Sequence, residues 1–305
     1  MCNVPVGSRT SLTATLTTTQ RQSSSDKPVN LFDTLVSNDA GEEVIGLAHE
    51  TPVLLPRHST FLLSDVTRLQ PLLAGCSDGG YHCIVLDPPW ENKSAKRGAK
   101  YPTLPSRRLL SIPIKQLLHQ EGLVAMWITN RERHRRFVDQ ELFPAWGLQA
   151  IGEWAWIKVT NSGQLVSPLD VAHRRPYEVL ILAQPKGTTA STSPPASDSG
   201  QDGQQPPPAA EQHVTSQVPQ PQLEHGPNGA VGGPAPLPRH FCIFAVPGEH
   251  SRKPQLARLL RPYLPANARC LEMFARELTA HWTSWGNEAL HFQQLHRFVL
   301  PASRL

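Results

Sequence analysis

At 305 residues the chain has room for one full α/β catalytic domain with extensions, and barely room for two ordinary domains. Only 39% of it is apolar and 30 residues are proline, about twice the usual share, so a core must be diluted by segments that cannot pack. The net charge of +4 excludes a polyelectrolyte, and any nucleic-acid surface has to come from local basic clusters.

Residues 1–28 are rich in Ser, Thr and Gln and read as a disordered tail, although their few Arg also fit a transit peptide. No apolar run near the start reads as a secretory signal, and none along the chain is long enough to span a bilayer. Residues 29–60 are expected to form a small accessory segment. Short, continuous apolar runs then follow: His82–Leu86, Leu123–Ile128, Glu153–Lys158, Glu178–Leu182, Phe241–Val246, Arg269–Phe274 and Arg297–Leu300. Runs of this kind mark strands buried on both faces, as in parallel sheets. Helices are expected between them, one after Asn130 as N-cap and reaching Phe143, another over Pro254–Leu260 with Ser251 as a cap. The alternation predicts a doubly wound, mostly parallel α/β sheet, whose ligands sit at the carboxyl ends of the strands. Between two of these runs, Gly187–Pro238 has no aromatic residue, no Lys and no Arg, and holds eleven prolines. It reads as a disordered insertion looping out of one sheet.

The five cysteines, Cys2, Cys76, Cys83, Cys242 and Cys270, are odd in number and have no close paired spacing. Neither a disulfide framework nor a zinc site is supported, and no metal is expected. Cys83, Cys242 and Cys270 lie in apolar runs and read as small core residues.

The run ending at Leu86 delivers Asp87-Pro88-Pro89-Trp90 to the carboxyl edge. Two prolines stiffen the turn and remove two donors. What remains is a group of acceptors, the Asp87 carboxylate and the Asp87 and Pro88 carbonyls, beside a flat aromatic. This is the DPPW signature, and it resembles that of the amino-methyltransferases related to the catalytic subunit of the messenger-RNA adenosine methyltransferase. The longer run Asp87-Pro88-Pro89-Trp90-Glu91-Asn92-Lys93-Ser94 is similar to the methyltransferase-like 4 branch of that family. Trp127-Ile128-Thr129-Asn130-Arg131, Glu153-Trp154-Ala155-Trp156-Ile157-Lys158 and Trp282-Thr283-Ser284-Trp285-Gly286-Asn287-Glu288 match the same branch in the same order. The resemblance covers about Phe61 to Leu300 outside the insertion.

The resemblance implies a Rossmann-like class I methyltransferase domain over 61–305, with the catalytic segment ahead of the cofactor segment. It implies S-adenosyl-L-methionine as cofactor, S-adenosyl-L-homocysteine as product, and transfer to the 6-amino nitrogen of adenine. That nitrogen is a poor nucleophile because its lone pair is delocalised. Acceptors on its two hydrogens favour a pyramidal nitrogen, and a strong base is unnecessary. An aromatic plane can hold the extruded base by stacking, worth roughly 1–3 kcal/mol.

By the same resemblance, Asp87, Pro88, Pro89 and Trp90 are catalytic. Asp65 and Val66 would read the cofactor adenine, Glu272, Phe274 and Arg276 would border its ribose and amino-acid portion, and Asn287 and Glu288 would contact ribose or adenine. Lys253 would pair with the cofactor carboxylate, and Asp87 would border the cofactor as well as the substrate. Trp127 and Trp156 would line the target-base pocket with Trp90, helped by Asn92, Lys93, Tyr101, Asn130, Lys158 and Glu178. Trp154 and Trp146 read as core packing. Arg276-Glu277 departs from the His or Asn that many relatives carry there, and the loop before Trp282 is shorter.

Three basic groups are candidate phosphate contacts. One is Lys93, Lys96, Arg97, Lys100, Arg107 and Arg108; another is Arg131, Arg133, His134, Arg135 and Arg136; the third is His173, Arg174 and Arg175. The branch implies an RNA substrate, specifically 2′-O-methyladenosine in a small nuclear RNA, with DNA adenine as the alternative. A non-catalytic RNA-binding partner of the same fold is the alternative of another class. A monomer without an obligate partner subunit is expected, in the nucleus and also possible in the cytosol, with no membrane association.

Overall fold

The computed structural model describes residues 10–11, 31–48, 50–76, 79–91, 104–171, 175–188 and 233–299. Twelve strands are present among them: β1 (Thr10–Ser11), β2 (Leu35–Asn38), β3 (Val44–Ala48), β4 (Thr51–Leu55), β5 (Ser59–Leu62), β6 (Tyr81–Leu86), β7 (Leu118–Ile128), β8 (Leu148–Lys158), β9 (Tyr177–Pro185), β10 (His240–Ala245), β11 (Cys270–Met273) and β12 (Trp282–Trp285). All but β3 and β4 join one sheet, in the order β1-β2-β5-β12-β11-β6-β7-β9-β8-β10. Only β2–β5, β7–β9 and β9–β8 are antiparallel, so the sheet is mostly parallel as expected. β3 and β4 form a separate antiparallel hairpin.

The central strands are apolar on both faces because both faces are covered. On one face Ile84, Leu86, Val124, Met126, Leu271 and Met273 pack with α1 (Gln70–Ala74), α2 (Ile114–Leu117) and the helix that begins at α3 (Glu132–Phe137). Their alternates Cys83, Val85, Leu123, Ala125 and Trp127 pack on the other face with Leu256 and α5 (Ala257–Leu260). Ile84 and Leu86 are fully buried, each worth about 1.5–3 kcal/mol. A third cluster, with Val36, Val53, Leu55, Phe61, Ala275 and Ala289, joins the accessory segment to the last strands.

Several expectations are corrected. The helix after Asn130 starts one residue later, with Arg131 at its N-cap. It runs from α3 through a wide π turn, Val138–Leu142, into α4 (Phe143–Trp146), and ends at Gly147 in a left-handed conformation. Asn130 does not cap it; its amide instead donates to the Tyr177 carbonyl at 2.6 Å. The helix proposed over Pro254–Leu260 is confined to α5, and Ser251, at φ 60°, closes a short 3-10 turn rather than capping it. β10 is an edge strand, so Phe241, Cys242 and Phe244 are exposed rather than buried. Arg297 ends a 3-10 turn and Phe298–Val299 form no strand. Thr10–Ser11, in the expected tail, pair with Val36–Ser37, and β2 of the accessory segment adds to the main sheet. The expected insertion also ends early, since Ala235 bonds to Pro262 and the Pro238 carbonyl accepts from the Trp154 indole.

Candidate active site

Parallel pairing puts the carboxyl ends of β5, β12, β11, β6, β7, β8 and β10 on one edge, and antiparallel β9 brings its start there. Residues far apart in sequence therefore meet. Asp87 follows β6, Phe274 follows β11, Asn130 follows β7, Glu178 opens β9, Lys158 closes β8 and Lys253 lies beyond β10.

Lys253 ties this edge together. Its ammonium is 3.1 Å from the Asp87 carboxylate and 3.2 Å from Glu178, whose other oxygen takes Lys158 at 2.5 Å. All four side chains are at most 24% exposed, so water screens them weakly. Burial alone would raise the Glu178 carboxyl, but Lys253 and Lys158 outweigh it and hold it below its usual range. Burial would likewise lower Lys253, and Asp87 and Glu178 instead hold it above. The chain thus gives Lys253 two carboxylate partners of its own, beside the cofactor carboxylate to which the resemblance assigned it.

A cleft open to solvent lies beside this network. Asp87, Trp127, Lys253, Glu272, Phe274 and Arg276 line it, with Arg252, Gln255, Glu277 and Phe292. Glu272 sits among acids. Burial, then Glu277 and Asp87, push its carboxyl up to about 8, against the pull of Arg276 and Arg252. Phe274 takes a left-handed φ of 62°, an uncommon conformation that gathers at functional sites. The turn is locked by the Ala275 amide on the Trp285 carbonyl and by the Phe274 ring against Trp285 at 5.0 Å. Gly286 is required beside it, since a Cβ would stand 2.7 Å from the Ala275 carbonyl oxygen. Arg252 pairs with Glu277 and packs over the Phe292 ring, as does Arg276. Glu277 stood out in the sequence only as part of the Arg276-Glu277 departure, and Phe292 carried no motif that could have assigned it here.

The other expected cofactor residues divide. Asp65 follows β5 on the same edge, but its carboxylate accepts from the Thr67 amide and hydroxyl at 2.9 Å, and those bonds hold it below its usual range. Val66 packs against the core. Asn287 and Glu288 are exposed in the turn after β12, outside the cleft lining.

Around the Asp87–Trp90 turn, the Asp87 amide donates to the Met273 carbonyl, and the Trp90 amide to the Pro88 carbonyl at 2.8 Å. One of the two lone pairs expected to await an amine on Pro88 is therefore already used. Trp90 is 8% exposed, its indole N–H on the Trp127 carbonyl and its ring stacked on His134. Trp127 borders the cleft, whereas Trp156 is closed off. The Trp156 ring is buried, its N–H bonds to Ala245, and the Lys158 ammonium lies 4.8 Å above it, so no base can stack there without rearrangement. Asn92, Lys93 and Tyr101 lie outside the described residues, as do Lys96, Arg97, Lys100, His173 and Arg174. The basic helix start is mostly committed internally: Arg133 bonds to the Glu91 carbonyl, Arg135 to Asp139 and Glu153, and Arg136 lies 3.9 Å from Glu132. Among the described residues no three His, Cys, Asp or Glu side chains are grouped to hold a metal ion.

The sequence that builds this sheet edge has counterparts among known proteins. The MT-A70 family model matches residues 81–223 and 232–288, which take in the strands from β6 to β12. The chain belongs to the MT-A70 family. It is 39% identical over 247 residues to the mouse N(6)-adenine-specific methyltransferase METTL4, covering 81% of this chain and 45% of that protein. To the human protein of the same name it is 37% identical over 275 residues, 90% of this chain and 51% of the other. To the N6-methyladenosine RNA methyltransferase MTA1 of Pyricularia oryzae it is 36% identical over 261 residues, 82% of this chain and 57% of the other. The chain thus spans about half the length of the relatives it matches. The fold is that of an MT-A70 class I methyltransferase.

Proposed function

We propose that this chain transfers a methyl group from S-adenosyl-L-methionine to the 6-amino nitrogen of adenosine in RNA, with 2′-O-methyladenosine of a small nuclear RNA as the target. The observation that carries the reading is Asp87, held at the end of the central strand by Lys253 and opening onto the cleft. The names of the mouse, human and Pyricularia relatives support adenine N6 chemistry. We place the chain in the nucleus as a monomer.

The cleft suits the cofactor chemically. Arg252 and Lys253 offer cationic donors for a carboxylate, and Glu272 and Glu277 offer acceptors for an ammonium group and ribose hydroxyls. Bound there, the cofactor would supply an electrophilic methyl carbon. Asp87 accepts a hydrogen from the adenine amine and orients the nitrogen lone pair toward the cleft. Lys253 holds the Asp87 carboxylate in place, and the second lone pair of the Pro88 carbonyl is offered to the other amino hydrogen. Trp127 walls the cleft on the side of the base. Once the nitrogen is alkylated its proton is acidic, so Asp87 or water can take it without a strong base.

The test is transfer of labelled methyl to three matched oligonucleotides: plain adenosine RNA, 2′-O-methyladenosine RNA, and DNA, each with wild type and Asp87→Ala. Labelling of the 2′-O-methyl RNA that vanishes with Asp87→Ala is expected. A preference for DNA would keep the chemistry and overturn the substrate; the Caenorhabditis elegans relative, 28% identical, is named a DNA N6-methyl methyltransferase. No labelling of any strand would bring forward the non-catalytic partner.

A further inference from the structure

His134 is a buried histidine in the first turn of α3, 2% exposed, beside the catalytic turn. Both ring nitrogens are used. Nε2 accepts from the Arg133 side-chain Nε at 3.1 Å. A nitrogen that accepts carries no proton, so the proton is on Nδ1, which donates to the Thr129 hydroxyl at 2.8 Å. The ring is therefore neutral and fixed in one tautomer. Burial first, then Arg133 and Arg131, push it down to about 4, which agrees with the bonding.

That fixed ring lies flat on Trp90, 4.9 Å between centroids and 23° between planes. Trp90 is tied from its own edge to the Trp127 carbonyl at 3.0 Å. The guanidinium that fixes His134 also reaches the Glu91 carbonyl at 2.7 Å, one residue past Trp90. Two neighbouring residues of α3 thus grip two consecutive residues of the catalytic turn, one through a ring face and the other through the backbone.

We propose that Arg133 and His134 form a positioning clamp that sets the Trp90 ring and the exit of the Asp87–Trp90 turn. The clamp rests on the reading of that turn as catalytic, and it acts through Trp90 rather than on substrate. It also accounts for a basic helix start whose Arg133 faces inward to the turn. Asp87 and Trp90 are three residues apart, so a tilt of Trp90 re-aims Asp87. Misplacement of about 1 Å can cost on the order of 100-fold in rate.

Two measurements on the full chain test it. In methyl-transfer kinetics on adenosine RNA, Arg133→Ala and His134→Ala should each lower kcat about tenfold or more, with cofactor affinity within about twofold of wild type. His134→Phe, which keeps a flat ring, should recover part of the loss. His134→Ala combined with Trp90→Phe should be little worse than Trp90→Phe alone, because the histidine works through that ring. Additive losses would overturn the clamp. The second measurement needs no substrate: hydrogen exchange of the peptide holding the Asp87, Trp90 and Glu91 amides should quicken in Arg133→Ala. Arg133 is exposed, so this variant folds even where the buried His134→Ala does not. Unchanged exchange would also overturn the clamp. A wild-type protein that methylates nothing would sink the catalytic reading, and the exchange result would still decide the clamp.

Discussion

On one flank of the Asp87–Trp90 turn the chain gathers charge; on the other it gathers rings. The charged flank draws Asp87, Lys158, Glu178, Lys253 and Glu272 from four strand ends and one loop, and Asp87, Lys253 and Glu272 line the cleft. The ring flank draws Trp90, Trp127 and His134 from a span of 45 positions, and its side chains are buried. The first flank depends on partners spread along the whole chain, and each charge there is tolerable only because others are present. The second is held by local geometry, with the Trp90 indole N–H and both His134 ring nitrogens bonded. Changes on the charged flank should therefore be read in activity and pH together, and changes on the ring flank mainly in geometry.

The largest expected effect is that of Asp87→Asn. It keeps shape and size but swaps an acceptor for a donor toward the amine, and methyl transfer should fall about 100- to 1,000-fold, as for loss of one preorganised catalytic dipole. The protein should still melt cooperatively. Activity within threefold of wild type would remove Asp87 from the chemistry and leave the charged flank as structure only. Next is Lys253→Ala. It leaves the Asp87 and Glu178 carboxylates without their shared cation, and stability to urea should drop by about 3 kcal/mol, the low end for a broken buried pair. An equal loss in Lys253→Met and Lys253→Ala would trace it to charge, whereas recovery in Lys253→Met would trace it to packing of the lysine stem.

How far each flank was legible in the sequence follows from the same difference. Asp87-Pro88-Pro89-Trp90 after an apolar run could be placed at a strand end, because a two-sided strand and a proline turn are local facts. The sheet class followed from such runs too, since β6, β7 and β11 are apolar at consecutive positions. β5 and β12 were missed because Ser59, Thr60, Thr283 and Ser284 break their apolar pattern, and only neighbours in the sheet make them strands. β10 was taken as buried because its apolarity is that of a covered strand, yet it is an edge. Lys253 and Glu178 could be named by resemblance, but their contact with each other could not, as it depends on the antiparallel entry of β9. The stack of His134 on Trp90 was hidden for another reason: among neighbouring arginines the histidine looked like part of a solvated basic face.

Two acids of the charged flank, Glu178 and Glu272, should respond to pH in opposite senses. Glu178 is held below its usual value by Lys253 and Lys158, so its share of stability is present above about pH 4.5 and is lost as pH falls further. Glu272 is pushed up to about 8, so the folded chain binds more protons than the unfolded one between about pH 4.5 and 8, and stability should fall as pH rises through that window. Glu272→Gln should flatten the decline without touching the acid limb. Melting curves of the ligand-free protein from pH 5 to 9 check this. A decline that persists in Glu272→Gln would move the titration to another group.

The smallest effect expected is that of Lys158→Met, and it is the change that tests whether the two flanks are separate at all. Lys158 belongs to the charged flank through Glu178 and touches the rings through Trp156. Methionine keeps an unbranched apolar chain over the indole and removes only the charge. Lys253 still holds Glu178 at 3.2 Å, so the carboxylate keeps a partner. The loss should then stay near 1 kcal/mol, the scale of a single hydrogen bond to a charged group that retains another. If charge is all that Lys158 supplies, the pKa of Glu178 rises toward its usual value, and the acid limb of stability moves to higher pH while cofactor affinity holds. If methyl transfer collapses with the acid limb unmoved, Lys158 reaches the substrate, and the flank that looks purely electrostatic also carries part of the base pocket.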